Sequence, residues 1–496
     1  MSTLQLDDQA LRAVVEDVMR SLGRSPVLSP APAPSAPAPA ASTRASVGHS
    51  VKPGRFGVFE DVNEACVAAA AAYEQLREKG VAGRAKVVEL VKEIVTAKAV
   101  EWGKYEFEET KIGRLEHKIE KLQIVKLVPG TEWLRPYSLS GDHGITMEER
   151  TPFGVIGAVL PVTHSVPTLS GNIINIVAAG NAVVFNPHPG GARSAALAVR
   201  TYNEAIHAAL GIENLVCTVL KPTLDTFNAL TKHPAINILL VTGGPGVVNA
   251  AMKSGKRAIC AGPGNPPVIV DGTGCLKKAA RDVIQGGAYD NNLLCIGEKE
   301  VFVLEKHADK FMEGLREAGA AQLNAPQLAR LTAAAFTFSK DAGGCSHAAV
   351  NRQLVGADAA VLAKHAGANV APNTPLLFAE TDVDHAFVIE EQMMPMVPIV
   401  RVRDMDQAIE YALKAEHGYK HSAIIHSLNV DHMTQMARAL DATVFVKNGP
   451  CVAGLGLGGE GYLSYSIATT TGEGISNPAT FTRTRRCVMV DNLRIY

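Results

Sequence analysis

Apolar and polar positions along residues 155–241 repeat in a pattern that predicts parallel strands joined by helices. Strands are expected at Val155–Leu160, Ala182–Phe185, Val216–Leu220 and Ile236–Val241, and helices at Pro167–Ala179, Ala192–Leu210 and Leu224–Leu230. Uninterrupted apolar strands that alternate with helices are typical of a parallel sheet with both faces covered. The pattern therefore predicts a doubly wound α/β domain of the nucleotide-binding type.

A second series of the same kind follows residue 265. Its expected strands are Pro267–Val270, Val301–Leu304, Val397–Val402, Ser422–Ile425 and Thr443–Val446, and its expected helices are Leu276–Gly287, Ala308–Ala318, Met405–Ala415 and Asn429–Leu440. Ahead of the first series, Asp61–Lys79 and Ala82–Ala97 have helical spacing. The chain is thus expected to contain two α/β units preceded by helices.

Two further segments predict strands that no helix covers. Residues 135–150 form an expected hairpin around the turn Ser140–Gly144, and Gly454–Tyr496 is rich in Gly, Ser and Thr and ends in an expected strand, Cys487–Ile495. Exposed strand edges are surfaces on which a second chain can pair. We expect these segments to form an arm that pairs with a neighbouring subunit in a homodimer or homotetramer.

The N-terminal region has a different pattern. Apolar residues within 4–22 recur at helical spacing and predict a short amphipathic helix, whereas Ser25–Val47 is almost entirely Ala, Pro and Ser and predicts an extended tether. An isolated helix of this length is marginal in water, so it is expected to dock on a partner. The alternative is a helix that folds back on its own body. A membrane-surface helix is less favoured because the polar face is not rich in Lys or Arg.

Composition excludes several classes of protein. The formal net charge is −1, which gives no basic field for a nucleic acid or an anionic membrane. The eight cysteines are scattered without paired spacing, which argues against disulfides and metal sites and for a reducing compartment. The longest apolar stretch, Ile173 to Phe185, is too short to span a bilayer. A soluble intracellular protein without nucleic-acid or membrane partners is expected.

One of these cysteines, Cys295, lies in a loop of small and polar residues, 290–300, just before an expected strand. A thiolate in such a loop is a candidate nucleophile for acyl chemistry, since sulfur can hold an acyl group as a thioester. The alternative is a buried structural cysteine, because free cysteines are usually buried.

Two turns between strand and helix are candidates for binding phosphate through backbone N–H groups. One contains Thr242, Gly243, Gly244 and Gly246; the other contains Asn186, Pro187 and His188. Neither matches a known phosphate-loop motif, so a plain tight turn is the alternative, and His188 is also explained as a capping or packing residue.

Several motifs together resemble those of the aldehyde dehydrogenase superfamily, and more narrowly its CoA-acylating branch from bacterial microcompartments. They are Ala179–Phe185, Asn291–Cys295, Glu390–Pro395, Val446–Pro450, Thr471–Gly474 and Arg485–Cys487. The resemblance covers residues 50–496 and implies an aldehyde dehydrogenase-like fold with a Rossmann-like domain for NAD and CoA (48–133 and 151–264), a catalytic domain (265–450) and an oligomerisation arm (134–150 and 451–496). Residues 1–24 resemble an encapsulation peptide and 25–47 its linker.

The resemblance implies that Cys295 attacks a short-chain aldehyde, with propanal favoured and acetaldehyde as the alternative. Hydride then passes to NAD, and CoA takes the acyl group from the thioester. A backbone N–H, that of Cys295 itself, is expected to hold the oxyanion. His421 is the candidate for proton transfer, with a structural histidine as the alternative. Residues implied at the cofactor are Thr163, Asn186, Pro187, His188, Thr242, Gly243, Gly244, Gly246 and Glu391.

Three positions depart from patterns found in relatives. Ala261 stands where hydrolytic members carry the glutamate that activates water, so the thioester is expected to persist until CoA arrives. His164 follows Thr163 where many relatives have an oxyanion-binding Asn, and Asn186 replaces a lysine, which leaves NAD over NADP as an inference from the family alone. The competing functions are a hydrolytic dehydrogenase that yields free acid and a non-enzymatic shell scaffold. The expected location is the bacterial cytoplasm, inside a microcompartment whose shell proteins bind residues 4–22.

Overall fold

The computed structural model describes residues 54–340 and 346–491. Its helices in chain order are Val62–Ala97 (α1), Ala99–Thr110 (α2), Leu115–Gln123 (α3), Ser165–Ala178 (α4), Ala192–Leu210 (α5), Leu224–Lys232 (α6), Pro245–Met252 (α7), Leu276–Gly287 (α8), Glu305–Glu317 (α9), Ala325–Ala335 (α10), Ala359–Ala366 (α11), Ala386–Ile389 (α12), Met405–Glu416 (α13) and Val430–Leu440 (α14). The predicted N-terminal helix and its tether lie outside the described residues.

The strands in chain order are Val58–Phe59 (β1), Tyr137–Gly141 (β2), Gly144–Pro152 (β3), Val155–Leu160 (β4), Ala182–Pro187 (β5), Val216–Val219 (β6), Ile236–Thr242 (β7), Arg257–Ala261 (β8), Pro267–Val270 (β9), Glu300–Leu304 (β10), Ala321–Gln322 (β11), Phe336–Lys340 (β12), Ser346–Val350 (β13), Leu377–Glu380 (β14), Met396–Val402 (β15), Ser422–His426 (β16), Val444–Lys447 (β17), Ile467–Ala468 (β18), Gly474–Ile475 (β19) and Thr482–Val490 (β20).

The first sheet is parallel and has the strand order β1-β6-β5-β4-β7-β8. Strands β4 and β5 are buried along their whole length, and α1 and α4 pack against them. The chain proceeds from β4 towards β5 and β6 on one side and later towards β7 and β8 on the other. Such a reversal opens a crevice at the carboxyl ends of the two central strands, here after Leu160 and Thr242. The predicted doubly wound sheet is confirmed.

The second sheet is also parallel and has the order β11-β14-β15-β10-β9-β16-β17. Strand β9 is hydrogen-bonded to β10 on one side and to β16 on the other. The Cys295 loop enters the amino end of β10, residues 262–266 enter that of β9, and His421 immediately precedes β16. The amino ends of three neighbouring strands therefore bring these segments together.

The remaining strands form an exposed antiparallel sheet of β2, β3 and β20, together with two small hairpins, β12–β13 and β18–β19. In the exposed sheet Arg486 pairs with Glu148 both in register and as an ion pair. Leu139, Met147 and Val488 expose their side chains, and the outer edge of β20 has no partner strand within 54–340 and 346–491.

The structure corrects some predicted elements. The last strand begins at Thr482 and not at Cys487, because its polar first half pairs with β3 on a sheet that has no buried face to mark it. Strand β8 and the hairpin β12–β13 were not predicted. Helix α1 is kinked at Gly80, whose φ of 64° is not helical, and this agrees with the two helices predicted on either side of that glycine. None of the helices in the described part of the chain is both long and apolar enough to cross a membrane.

Candidate active site

A cavity of about 560 Å³ lies where the carboxyl edge of the first sheet approaches the amino edge of the second. The predicted nucleophile Cys295 lines it, and so do eight of the predicted cofactor residues: Thr163, Asn186, Pro187, His188, Thr242, Gly243, Gly244 and Glu391. Gly246 does not line the cavity, since it lies within α7 and past the turn. His421 does not line it either. The two α/β units thus bring most of the predicted residues to one place.

The loop before Cys295 has an unusual backbone. Asp290, Asn291 and Asn292 have φ values of 48°, 56° and 64°, a left-handed conformation that costs free energy for most residues but is best tolerated by Asp and Asn. Hydrogen bonds hold each of them. The Asp290 carboxylate accepts from the Arg114 N–H at 2.8 Å, Asn291 Oδ1 accepts from Arg114 Nε at 2.6 Å, and the Asn292 amide donates to the Glu298 carbonyl at 2.8 Å. This explains the run of small polar residues before the thiol.

Cys295 differs from the other described cysteines. Cys275 and Cys487 are exposed away from the cavity, four more are buried, and only Cys295 among these lines the cavity. Burial, and next the Glu391 carboxylate, raise the pKa of Cys295 to about 12. Lys299 and the backbone N–H groups of Cys295 and Ile296, which donate to the sulfur, oppose this rise. The thiol is therefore protonated at neutral pH, but donors that stabilise a thiolate already surround it.

Ala261, the last residue of β8, presents a methyl group to the same cavity. Among the described residues that line the cavity, Glu391 is the only carboxylate, and no Lys or Arg side chain is present. The Glu391 carboxylate accepts a hydrogen bond from the Gly264 N–H, and burial raises its pKa. Glu391 is expected at the cofactor, and its contact with the cofactor remains a prediction.

His421 lies behind the Cys295 loop. Its ring is fully buried, and a Cβ added to Gly264 would lie 2.8 Å from His421 Cγ and 2.5 Å from the Cys295 carbonyl oxygen. Its Nδ1 contacts the Ser422 hydroxyl at 2.8 Å, whereas Nε2 is buried without a hydrogen-bond partner among the described residues. Burial, and next Lys299, lower the pKa of His421 to about 4, so the imidazole is neutral. His421 is near the nucleophile but not on the cavity wall.

A buried charge cluster under the cavity escaped the sequence analysis. Lys118 and Lys121 on α3 both donate to the carbonyl oxygen of Thr163, at 2.7 and 3.3 Å, and both form ion pairs with Asp290. They tie the loop after β4 to the loop before Cys295. In the sequence, two lysines three apart in a charged helix indicate side chains exposed to solvent. Their shared helical face was the only sign in the sequence that the two lysines act together.

His164 also lines the cavity. Burial, and next Lys121 and Lys118, hold the pKa of His164 well below its usual range, which keeps its imidazole neutral. Its Nδ1 is buried with no hydrogen-bond partner in the described part of the chain. A neutral ring therefore follows Thr163 on the cavity wall.

Comparison with known proteins agrees with this arrangement. Residues 55–461 match the model of the aldehyde dehydrogenase family. The chain is 42% identical over 441 residues to the acetylating acetaldehyde dehydrogenase EutE of Salmonella typhimurium, covering 88% of this chain and 93% of the relative. It is 41% identical over 442 residues to the CoA-propanoylating propanal dehydrogenase of Citrobacter freundii, covering 88% and 94%.

Two solved structures are similar over most of the chain. One is a propionaldehyde dehydrogenase from the fucose utilisation microcompartment of Clostridium phytofermentans, with 42% identity, a TM-score of 0.85 and coverage of 89% of this chain and 100% of that one. The other is a propionaldehyde dehydrogenase of Rhodopseudomonas palustris with bound CoA and an acylated cysteine, with 40% identity, a TM-score of 0.84 and the same coverage. Fold, site and relatives agree, and the chain belongs to the aldehyde dehydrogenase family, in its CoA-acylating branch.

Proposed function

We propose that the enzyme oxidises a short-chain aldehyde, propanal first, to its acyl-CoA, with NAD as hydride acceptor and a thioester on Cys295 as intermediate. The observation that carries the proposal is the pairing of Cys295 with Ala261 in one cavity. A thiol that faces the cavity can form the thioester, and a methyl group at 261 supplies no base to activate water against it. CoA, itself a thiol, is the nucleophile suited to release the acyl group.

The cavity fits NAD better than its 2′-phosphorylated form. The cavity lies at the carboxyl ends of the parallel strands of the first sheet and includes the turn of small residues at Thr242–Gly244. Both features are typical of dinucleotide sites. A 2′-phosphate needs a cation, and none of the described residues that line the cavity is Lys or Arg. Predicted contacts are Thr163, Asn186, Pro187 and His188 on one side and Glu391 on the other.

A second, much smaller chamber supports a short substrate. It has a volume of about 10 Å³ and shares Tyr465 with the main cavity. Apolar side chains form most of its wall: Ile124, Leu294, Val452, Leu455 and Leu457. A space of this size holds about one water-sized group, so an acyl chain that enters it has to be short. One methylene changes binding by only about 1–3 kcal/mol in such a pocket.

The proposal predicts strict dependence on CoA. With propanal and NAD, we expect NADH to form continuously when CoA is present and to stop after about one turnover per active site when it is absent. Mass spectrometry of the products should find propanoyl-CoA in amounts equal to NADH. Continuous NADH formation without CoA, with free propanoate as product, would establish the hydrolytic alternative instead.

Ala261→Glu tests why the thioester persists. A carboxylate at this cavity position can act as a general base for water, and such catalysis is worth about 10²-fold or more. We expect NADH formation without CoA to rise by about 10²-fold in this variant, with propanoate as product. Ala261→Gln is the matched control, since it has the same size without a base. An equal rise in both variants, or none in either, would contradict the explanation.

We further propose that the enzyme is a homodimer or homotetramer. The exposed sheet of β2, β3 and β20 carries apolar side chains and an edge that pairs with no other strand of the described residues, which is the form expected of a strand-pairing surface. Val488→Lys on β20 should lower the molar mass measured by sedimentation equilibrium, whereas Lys277→Met elsewhere should not. A monomeric wild-type protein contradicts this proposal.

The amphipathic pattern within residues 4–22 supports a location inside a microcompartment, with the helix bound to shell proteins and the remaining chain tethered through 25–47. Similar enzymes of known structure include the one from the fucose utilisation microcompartment of Clostridium phytofermentans. A reporter fused to residues 1–24 should concentrate in shells, and a reporter that stays diffuse in shell-producing cells refutes the proposal.

A further inference from the structure

Lys299 lies immediately before β10, and its side chain is fully buried beneath the Cys295 loop. Its Nζ donates to the carbonyl oxygens of Asn292 at 2.9 Å and Leu294 at 3.3 Å, and also to Asn292 Oδ1. All three partners can only accept, and a neutral amine has two N–H groups where an ammonium has three. The contacts therefore describe a buried ammonium ion whose donors are all used.

These contacts explain how the loop keeps its left-handed turn. With positive φ at three successive residues, 290–292, the chain turns the carbonyls of Asn292 and Leu294 towards the interior. Without Lys299 the Asn292 carbonyl would lose its only hydrogen-bond partner among the described residues, whereas the Leu294 carbonyl would keep the Gly297 N–H at 3.0 Å; a buried polar group left unpaired is costly. The lysine thus offsets backbone strain of the kind found at active sites.

Five ionisable groups face the ammonium: Glu391 and Cys295 at the cavity, Cys451, the neighbouring Glu300 and the neutral imidazole of His421. Burial raises the pKa of Glu300 well above its usual range, and its carboxyl oxygens have no hydrogen-bond partner among the described residues, so it is neutral. Burial likewise raises the pKa of the Cys451 thiol well above its usual range. The anions left for Lys299 to stabilise are the Glu391 carboxylate and the Cys295 thiolate.

We propose that Lys299 is a positioning residue that holds the Cys295 loop in its left-handed turn and keeps a positive charge behind the thiolate. The inference rests on the proposed role of Cys295 as the nucleophile. One buried side chain thus affects both the geometry of the Cys295 loop and the ionisation of the Cys295 thiol. Substitution should alter both together.

The experiment compares Lys299→Met with the wild-type protein. Alkylation of Cys295 by iodoacetamide, followed by peptide mass spectrometry from pH 6 to about pH 10, reports the thiolate fraction without turnover; this range lies below the pKa of the thiol, so the alkylation rate rises about tenfold per pH unit. In Lys299→Met we expect this rise to be displaced by about one unit to higher pH, so that the alkylation rate at pH 7.5 falls about tenfold. In the same samples the exposed Cys275 should label as in the wild type. Lys277→Met, at an exposed lysine paired with Glu317, is the matched control.

Turnover gives a second readout. In Lys299→Met we expect kcat to fall about 10²-fold with KM for propanal within threefold, and Lys299→Arg should restore part of the loss in kcat and most of the wild-type pH profile of alkylation. An unchanged pH profile of alkylation in Lys299→Met overturns the inference, whether or not kcat falls, because a purely structural lysine would change only the amount of active protein.

Two further variants complete the design. If Lys299→Met is insoluble, Asn292→Ala removes one acceptor of the ammonium and should displace the pH profile of alkylation in the same direction by a smaller amount; a wild-type profile in soluble Asn292→Ala then overturns the inference. Cys295→Ala distinguishes failure of the proposed function from failure of the proposed role of Lys299. If it stays active, the proposed function fails; if it is inactive while Lys299→Met behaves as wild type, only the role of Lys299 fails.

Discussion

Cys295→Ala is expected to lose NADH formation from propanal by about 10⁴-fold to 10⁶-fold, because removal of a covalent nucleophile leaves only binding and orientation. The substitution deletes one sulfur atom on the wall of a cavity, so the fold and the thermal unfolding midpoint should change little. Binding of NAD should also persist, since the thiol belongs to the reacting centre and not to the phosphate turn. The assay measures initial rates with saturating CoA and NAD.

Two controls sharpen this prediction. Cys275→Ala removes an exposed thiol distant from the cavity and should keep the wild-type rate. Wild-type enzyme incubated with propanal and NAD without CoA should carry one propanoyl group on the peptide that contains Cys295, and later addition of CoA should remove it. Activity of Cys295→Ala above about 1% of wild type, or a propanoyl group on another residue, would rule out the thioester proposed here.

The hydrophobic pattern predicted most of the two parallel sheets. Helix α5, strand β9 and helix α8 have the predicted bounds, because each is an apolar or amphipathic run that ends at Gly, Pro or a polar turn. Strand β8 and the start of β20 were missed for different physical reasons. Only the last three residues of β8, 259–261, are buried, and so short an apolar run is hard to distinguish from a turn; β20 is exposed after Thr482, so its sequence carries no alternation to detect.

The residues of the site were also predicted only in part. Cys295 and the turns after β5 and β7 were found because they lie in loops next to predicted strands, whereas Glu391 was found through the resemblance of the Glu390–Pro395 motif. The buried charges Lys118, Lys121 and Lys299 were missed, since a charged residue in a helix or before a strand predicts a solvated side chain. Their burial depends on acceptors far away in the chain, such as the Thr163 carbonyl, and only the tertiary structure supplies those.

Asp290→Asn is expected to lower the free energy of unfolding by about 3–5 kcal/mol at pH 7, because it removes one of two buried carboxylates and leaves Lys121 without its ion pair, while Lys118 keeps Glu106 at 3.6 Å. Asp290, Lys118 and Lys121 are all fully buried. Asn keeps the size of the side chain, can still accept the Arg114 N–H and tolerates the φ of 48° at this position. The change therefore isolates the charge from the hydrogen bond and from backbone strain.

The pH dependence follows from the same cluster. Although burial raises it, Lys121 and Lys118 hold the pKa of Asp290 below its usual range. A carboxylate with a lowered pKa in the folded state stabilises the protein above the pKa of the unfolded chain, and that stability is lost as the pH falls through the folded value. The stability gap between wild type and Asp290→Asn should thus be largest near neutral pH and shrink under acid conditions.

Guanidinium unfolding at pH 7 and at about pH 3, which is below the ordinary carboxyl pKa, measures this gap from the first cooperative transition. Glu74→Gln serves as the control, because its ion pair with Arg77 is exposed on both sides and such pairs add little to stability. A gap below about 1 kcal/mol at pH 7 would mean that the two lysines lose their protons when Asp290 is neutralised. In that case they would no longer act as a charged link between the Thr163 carbonyl and the Cys295 loop.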